Sequence, residues 1–279
     1  MIDTINLNFD WLYKDSFSDE FLKKDIKEDG FVKVNIPHTN KEIPYNDFDE
    51  EIYQFVSCYR KHITVDKKYE GKKLILEFEA VANAADVYVN GTLAFSHKGS
   101  YTAFSGDISS FVKYGEDNVI AVKVDSTERD DIPPFGNVVD YLVYGGIYRE
   151  VYIYVHEDEY IENMFLSPEN VLQQPLLKVK LDFNKEINKK VSIEIKDSDG
   201  NEVVTKEVIV NGSSYEEAFE IKNAKLWDID NPYLYTVTAK IGKDIKKDRV
   251  GIRHVVFKKN GFFLNGNKIK IRGLNRHQS

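Results

Sequence analysis

Hydrophobic and polar residues alternate with a period of two through much of the chain, the spacing of β-strands whose successive side chains point to opposite faces. In residues 59–64, Arg60 and His62 alternate with Tyr59 and Lys61. Asn90-Gly91 predicts a type I′ hairpin turn, because both central residues of that turn adopt positive φ. Further strands are predicted at 74–78, 176–181, 191–195, 202–204 and 208–210. Short strands without long amphipathic helices predict an all-β chain of two β-sandwiches.

The stretch DYLVYGGIYREVYIYV at residues 140–155 combines a loop with a strand. Residues 150–155 are β-branched and aromatic, which favours a strand. Gly145-Gly146 permits positive φ or a close backbone approach, and the Pro-Pro-Phe-Gly run at 133–136 interrupts any ladder. The loop from 127 to 146 is long for a compact domain, and ordered loops of that length are usually functional. We therefore expect Asp140 on a binding loop, either as a ligand contact or as a turn-capping carboxylate.

Composition is typical of a globular protein and narrows the function. The 279 residues are 42% hydrophobic and 30% charged, with a net charge of −8 and no basic block, which argues against a nucleic-acid surface. No apolar run approaches the length of a membrane helix, and the N-terminus resembles no secretory signal, so a cytoplasmic location and no membrane contact are expected. The single cysteine, Cys58, is interpreted as a half-buried strand thiol.

Three regions are expected along the chain. The alternation is lost in an acidic stretch near 156–161, which places one domain at 1–157 and a second sandwich, immunoglobulin-like, at 158–257. Residues 258–279 are predicted to form a hairpin with turns at Asn260-Gly261 and Asn265-Gly266, followed by one strand.

Several short motifs resemble, in the same order, those of glycoside hydrolase family 2, the β-galactosidases and β-glucuronidases. The most specific is DYLVYGGIYR at 140–149. The others are YRK at 59–61, VYVNG at 87–91, GSYTAF at 99–104, NVIAV at 118–122, LW at 226–227, PYLY at 232–235, GIR at 251–253, LNG at 264–266 and RGLNRH at 272–277. Their shared order over nearly the whole chain makes it similar to the N-terminal part of a family 2 enzyme.

The resemblance implies a fold and a set of substrate contacts. It implies a sugar-binding jelly roll followed by an immunoglobulin-like spacer domain. It implies that Asp140 reaches the active site and binds the sugar, and that Asn275 and His277 lie at the first strand of a catalytic barrel. Gln278 departs from the acidic residue that commonly follows this histidine. His38 follows Pro37 as in a family segment, but a structural role is the favoured interpretation of a lone loop histidine.

The resemblance also implies what this chain does not contain. Family 2 enzymes are retaining glycosidases, whose two catalytic glutamates lie on a (β/α)₈ barrel after the immunoglobulin-like domain. The sequence is expected to stop where that barrel begins, so we expect no catalytic residue and no hydrolysis by this chain alone. We expect no cofactor here, although a sodium or magnesium ion is compatible with the longer enzyme. The expected partners are a terminal β-glycoside and, for the parent enzyme, further copies of itself.

The sequence leaves alternatives open for the function. Gln54-Phe55 stand after Ile52-Tyr53, where some β-galactosidases place an asparagine, so a β-glucuronidase is the second choice after a β-galactosidase. A stand-alone carbohydrate-binding module and a structural β-sandwich that binds another protein are the other two hypotheses. Saturable sugar binding by the chain alone would favour the former, and sugar-independent partner binding would favour the latter.

Overall fold

The computed structural model describes residues 1–43, 49–136 and 144–275. The chain packs into two units, each with its own hydrophobic core. The first unit is Asp3–His156, and the second unit is Glu157–Asn275 together with Met1–Ile2. Within the described ranges, no helix is long and apolar enough to cross a membrane.

The first unit is an antiparallel β-sandwich. Its strands are β1 (Asp3–Asn6), β2 (Trp11–Lys14), β3 (Val32–Val34), β4 (Val56–Thr64), β5 (Lys73–Phe78), β6 (Ala84–Val89), β7 (Thr92–Lys98), β8 (Phe104–Asp107), β9 (Asp117–Asp125) and β10 (Val151–His156). Short 3₁₀ helices span Asp19–Leu22, Glu50–Tyr53 and Lys67–Tyr69. One sheet has the order β1-β10-β5-β8 and the other β3-β2-β4-β9-β6-β7. The expected jelly-roll sandwich is confirmed.

The predicted period of two positions the core of this unit. Buried and half-buried residues alternate along β5, β6 and β10. Their inward side chains pack around the rings of Trp11, Tyr59 and Phe78, which are fully buried. The predicted turn between β6 and β7 is also confirmed, because Asn90 and Gly91 have φ of 51° and 85°.

Strand β4 departs from simple alternation because an irregular segment, residues 18–30, covers its second face. Arg60, on that face, has a fully buried side chain. Its guanidinium donates to the carboxylate of Glu28 at 2.9 Å and to the carbonyl oxygens of Phe21, Lys23 and Lys24. The buried guanidinium of Arg60 therefore holds the covering segment to the sheet. Its N–H groups donate to carbonyl oxygens of that segment, which no strand pairing satisfies.

His62 extends the same contact toward the surface. Its Nε2 lies 2.9 Å from Glu28 Oε1, and its Nδ1 lies 3.0 Å from Asp117 Oδ2. Partial burial lowers the pKa of His62, but the hydrogen bonds and charges of the two carboxylates outweigh it, so the net pKa is raised. Partial burial raises the pKa of Glu28, but the hydrogen bonds and charges of His62 and Arg60 lower it by more, so the net pKa is lowered.

These shifts predict a pH dependence of the stability of the first unit. A histidine whose pKa is raised on folding stabilises fully below its unfolded pKa of 6.5, and that contribution is lost as pH rises through the higher folded value. The Glu28 contribution is present above the unfolded pKa of 4.5 and is lost as pH falls through the lower folded value. The urea midpoint of the first unit should therefore fall between pH 6 and pH 8 less steeply in His62→Gln than in the parent. Identical slopes in the two proteins would contradict the prediction.

The second unit contains a five-stranded antiparallel sheet with its own buried core and a small three-stranded sheet. Its strands are β11 (Ile161–Glu169), β12 (Leu176–Lys196), β13 (Glu202–Glu220), β14 (Tyr235–Ile241), β15 (Asp244–Val250), β16 (Val255–Lys258), β17 (Gly261–Leu264) and β18 (Asn267–Ile269). The first half of β12 pairs with β11 and the second half with β14, while β13 pairs with β12 along its length. This arrangement is the immunoglobulin-like sandwich that the sequence predicted.

The strands of this sandwich are longer than predicted. The segments expected at 176–181 and 191–195 are both part of β12, and those at 202–204 and 208–210 are both part of β13. The pairing register shifts between Asp182 and Ile187, where extra residues of β12 interrupt the β12–β13 ladder before it resumes. The polar residues at this bulge read as a turn in the sequence, although hydrogen bonding continues on both sides of it.

The hairpins of residues 255–269 are partly as predicted. Asn265 and Gly266 have φ of 50° and 82° and connect β17 to β18, which confirms that turn. The other turn is displaced by one residue, because Lys258 pairs with Gly261. Gly261 is therefore the first residue of β17 and Lys259-Asn260 form the loop, so the Asn-Gly pair overstated the turn signal there.

Candidate functional site

A backbone contact at the end of the first unit determines the geometry of the candidate site. Residues 144–147, the Gly-Gly segment, lie against residues 38–40, the His-Thr-Asn segment, and against Ala82. The amides of residues 38 and 40 donate to the carbonyls of Ile147 and Gly145 at 2.8 Å and 2.9 Å. Ala82 and Gly146 exchange hydrogen bonds at 3.0 Å and 3.3 Å. The Gly-Gly segment is thereby fixed on both sides.

Both glycines are required by this contact. Gly146 has a φ of 109°, and a Cβ at this position would lie 2.6 Å from the carbonyl oxygen of His38. A Cβ at Gly145 would lie 2.3 Å from Nδ2 of Asn40. The predicted positive φ and close backbone approach are confirmed.

Asn40 links the segments on either side of the site. Its side chain is buried, with the residue only 3% exposed, and its Nδ2 donates to the carbonyl oxygen of Tyr53 at 2.7 Å. Its backbone amide donates to Gly145, and its carbonyl accepts from the Tyr13 hydroxyl at 2.7 Å. Its Oδ1 accepts no hydrogen bond from the described residues. Asn40 therefore joins the chain that leads into residues 44–48 to the chain that follows residues 137–143.

Three rings, those of Tyr13, His38 and Tyr59, form a cluster that holds the His-Thr-Asn segment in place. His38 Nδ1 lies 2.8 Å from the Tyr59 hydroxyl, and the Tyr13 ring centroid lies 4.8 Å from the His38 ring and 4.9 Å from the Tyr59 ring. Partial burial lowers the pKa of His38, although the charge of Glu42 acts in the opposite direction. Burial raises the pKa of Tyr59 well above its ordinary value. These contacts support the structural interpretation of His38.

An open cleft of about 570 Å³ lies over these segments. Its described lining is largely apolar and includes three tyrosines and the side chains around the His-Thr-Asn segment. The lining residues are Thr39, Lys41, Glu42, Ile43, Ala82, Ser100, Tyr101, Tyr144 and Tyr148. The Tyr148 hydroxyl donates to the carbonyl oxygen of Ser100, which closes one wall. Clefts of 300 to 1,000 Å³ with apolar walls and a few polar groups are typical small-molecule sites.

The sequence predicted three substrate contacts, and the described residues include one of them. Asp140 and His277 lie outside the described residues. Asn275 is exposed in an irregular segment after the three-stranded sheet. Its contact with substrate, like those of Asp140 and His277, stays a prediction.

Sequence reasoning missed Asn40 and the meeting of the three tyrosines. All three tyrosines, Tyr101, Tyr144 and Tyr148, lie inside the motifs that carried the resemblance, which was the available signal. Cys58 lies in a strand as predicted, but it is fully buried and not half-buried, and burial raises the pKa of its thiol to about 12. Among the residues that the structure describes, no three His, Cys, Asp or Glu side chains are grouped to hold a metal ion.

Fold and cleft together define a β-sandwich protein with a cleft of the size that is typical of small-molecule sites, and comparison with known proteins identifies the family. Residues 24–157 match the model of the sugar-binding domain of glycosyl hydrolases family 2, and residues 159–253 match a second family 2 model. The chain belongs to glycosyl hydrolase family 2.

The relatives are enzymes longer than this chain. A β-galactosidase of Thermoanaerobacter pseudethanolicus is 40% identical over 292 residues, which cover 99% of this chain and 39% of that protein. A β-glucuronidase of Bacteroides fragilis is 29% identical over 88% of this chain and 38% of its own length. The crystal structure of a Bacteroides uniformis β-glucuronidase superposes with a TM-score of 0.84 at 25% identity, over 99% of this chain and 35% of that one. The chain thus spans less than half the length of these relatives.

Proposed function

We propose that this chain is the non-catalytic N-terminal region of a retaining β-glycosidase that removes terminal β-linked sugars. The observation that carries the proposal is the tyrosine-lined cleft, which lies within the residues matched by the family's sugar-binding domain. In this proposal the loops around the cleft contact substrate, and a downstream barrel supplies the two catalytic carboxyl groups. Asp140 precedes the cleft residue Tyr144 by four positions, a length of chain that spans at most about 14 Å. Asn275 and His277 complete the proposed contacts.

One carboxyl pair of the first unit illustrates why the chemistry is assigned elsewhere. Glu79 and Glu150 are hydrogen-bonded to each other, and this bond raises the pKa of Glu79. A retaining glycosidase needs its two carboxyl groups about 5 to 5.5 Å apart, so that the nucleophile and the acid flank the sugar. Two carboxyl groups in direct contact leave no room for the reacting carbon between them.

The preferred substrate in this proposal is a β-galactoside, with a β-glucuronide second. The 40% identity to a β-galactosidase extends over 99% of this chain, whereas the identity to the β-glucuronidase is 29%. The cleft also favours the alternative of a stand-alone carbohydrate-binding module, because all the described residues that line the cleft belong to the first unit. A hydrolysis assay separates the two functions. Activity that is found only when a longer chain includes these 279 residues favours the N-terminal region of a glycosidase over a stand-alone module.

The proposal predicts a specific effect of Asp140→Asn in the enzyme that contains this chain. If the carboxylate accepts hydrogen bonds from substrate hydroxyls, one charge-assisted bond is lost, and kcat/KM should fall roughly ten- to a hundredfold. The melting temperature should stay nearly unchanged, because in this proposal the carboxylate contacts substrate and no core packing depends on it. Steady-state kinetics on aryl β-galactosides and β-glucuronides, together with calorimetry, measure both quantities.

The matched control is Asp130→Asn, which changes an exposed aspartate of the same loop and should leave kcat/KM unaltered. The 279-residue chain itself should release no aryl group from the same substrates. If Asp140→Asn instead lowers the melting temperature by several degrees while kcat/KM is preserved, Asp140 is a loop cap and not a substrate contact. Turnover by the chain alone at about 1 s⁻¹ or more, an ordinary enzymatic rate, would contradict its non-catalytic role.

A further inference from the structure

We infer that the cleft of the first unit holds the leaving group of the glycoside, as a ring that stacks on its tyrosines. The leaving group is the part of the substrate that departs when the bond to the terminal sugar is cleaved, either an aryl group or a second sugar. This inference rests on the proposed function, because only a glycosidase has a leaving group to place. It assigns a role to side chains that the proposed contacts of Asp140 do not use.

The first observation is that exposed tyrosine rings line the cleft. Tyr101 and Tyr144 remain 49% and 40% exposed, and both line one concavity together with Tyr148. Isolated exposed aromatic residues are ordinary on a protein surface, but several in one cleft mark a contact surface. Aromatic faces stack on flat rings, and the CH face of a pyranose presents an apolar surface to the same kind of contact. The cleft therefore selects for a ring with an apolar face.

The walls behind these rings are fixed before any ligand binds. The Tyr148 hydroxyl is engaged by the Ser100 carbonyl, so this side chain offers its ring to the cleft. Tyr144 packs at 6.2 Å against Tyr53, which is itself buried and held through its carbonyl by Asn40. A site whose walls are already held in place loses little conformational entropy on binding.

The charges at the rim indicate a ligand without a strong net charge. Lys41 and Glu42 are the charged side chains among the described lining residues, and their formal charges cancel. An anionic ligand would gain from the lysine and be opposed by the glutamate, whereas a neutral ring is affected by neither. Nitrophenyl groups and hexoses fit this description.

The test compares leaving groups on one sugar in the enzyme that contains this chain. The substrates are p-nitrophenyl β-galactoside, lactose and methyl β-galactoside, whose leaving groups are an aryl ring, a sugar ring and no ring. If galactosides are not cleaved, the corresponding β-glucuronides replace them. Tyr144→Ala should lower kcat/KM about three- to tenfold for the ring-bearing substrates and leave the methyl glycoside unchanged. A loss confined to the aryl substrate, or to lactose, identifies which ring the cleft receives.

The control is Phe135→Ala, which removes an aromatic ring of the same 40% exposure that is not part of the described lining. This variant should leave the ratios of kcat/KM among the three substrates unchanged. An equal loss on all three substrates in Tyr144→Ala, or a lower melting temperature with no dependence on the leaving group, would show that the cleft packs against other parts of the enzyme and would overturn the inference. Asp140→Asn is expected to weaken all three substrates alike, so the two proposals give different patterns.

Ring binding by the cleft can be measured separately if the proposed function fails. If no glycoside is hydrolysed, ligand line broadening in NMR compares p-nitrophenyl and methyl β-galactoside in the presence of the 279-residue chain. Broadening of the aryl resonances that Tyr144→Ala abolishes, with the methyl glycoside unaffected, would retain a ring-binding cleft without glycosidase chemistry. No broadening of either ligand would exclude it.

Discussion

Gly146→Ala should destabilise the first unit by about 2 to 5 kcal/mol. A side chain at positive φ costs about 1 to 2 kcal/mol, and overpacking a close contact costs typically 1 to 3 kcal/mol more. Here the new Cβ meets backbone atoms of His38 and Asn40, at 2.6 Å and 2.8 Å, which cannot rotate away as the end of a flexible side chain could. The melting temperature of this unit should fall by roughly 10 °C.

Gly71→Ala separates the two contributions. Gly71 lies in the same unit with a φ of 78°, and a Cβ there meets nothing within 4 Å, so this variant reports the cost of positive φ alone. The two tryptophans lie one in each unit, Trp11 in the first and Trp227 in the second. Urea titrations followed by fluorescence in a Trp227→Phe background therefore report on the first unit. Equal losses in the two alanine variants would mean that the contact with the His-Thr-Asn segment adds no constraint.

Arg60→Met should destabilise the first unit by about 3 kcal/mol or more. Methionine preserves most of the buried volume, but it removes the cation from Glu28 and the donors from the carbonyl groups of the covering segment. Breaking a buried ion pair by removal of one partner typically costs about 3 to 5 kcal/mol. Glu28 keeps its contact with His62, so the lower end of that range is expected, together with the loss of donors to the carbonyl groups. The same fluorescence titration measures the loss.

Lys98→Met is the comparison for Arg60→Met. Lys98 pairs with Asp131 on the surface, with side chains 61% and 45% exposed, and such pairs contribute at most about 1 kcal/mol. Residues 18–30 should become accessible to proteases in Arg60→Met and not in Lys98→Met. Protection of that segment in both variants would show that other contacts hold it.

Sequence reasoning succeeded where one residue type satisfies one local requirement. Asn90-Gly91 and Asn265-Gly266 were identified as turns because few other residues adopt positive φ there. Gly145-Gly146 was identified as a place for positive φ or a close approach, and Gly146 shows the former and both glycines the latter. The period of two located the core strands, since a one-residue error would turn every buried side chain to the solvent.

The sequence could not predict contacts between distant segments. Arg60 was expected on one face of an alternating strand, and its burial depends on an irregular segment more than thirty residues earlier in the chain. The cleft likewise combines residues near positions 40, 82, 100 and 146, and no local pattern records that these meet. Strand β12 was read as two strands because a bulge and a turn share the same polar residues.

The position of Asn40 has a consequence for protein engineering. Its side-chain amide joins the chain before residues 44–48 to the chain after them, and its backbone amide joins both to the chain that follows residues 137–143. A chimaera that takes only one of these two segments from a relative therefore inherits a mismatched anchor for the other. Substrate preference in this domain should therefore transfer between homologues only when residues 38–53 and 137–148 are exchanged together, as a single cassette with its own asparagine and glycine pair.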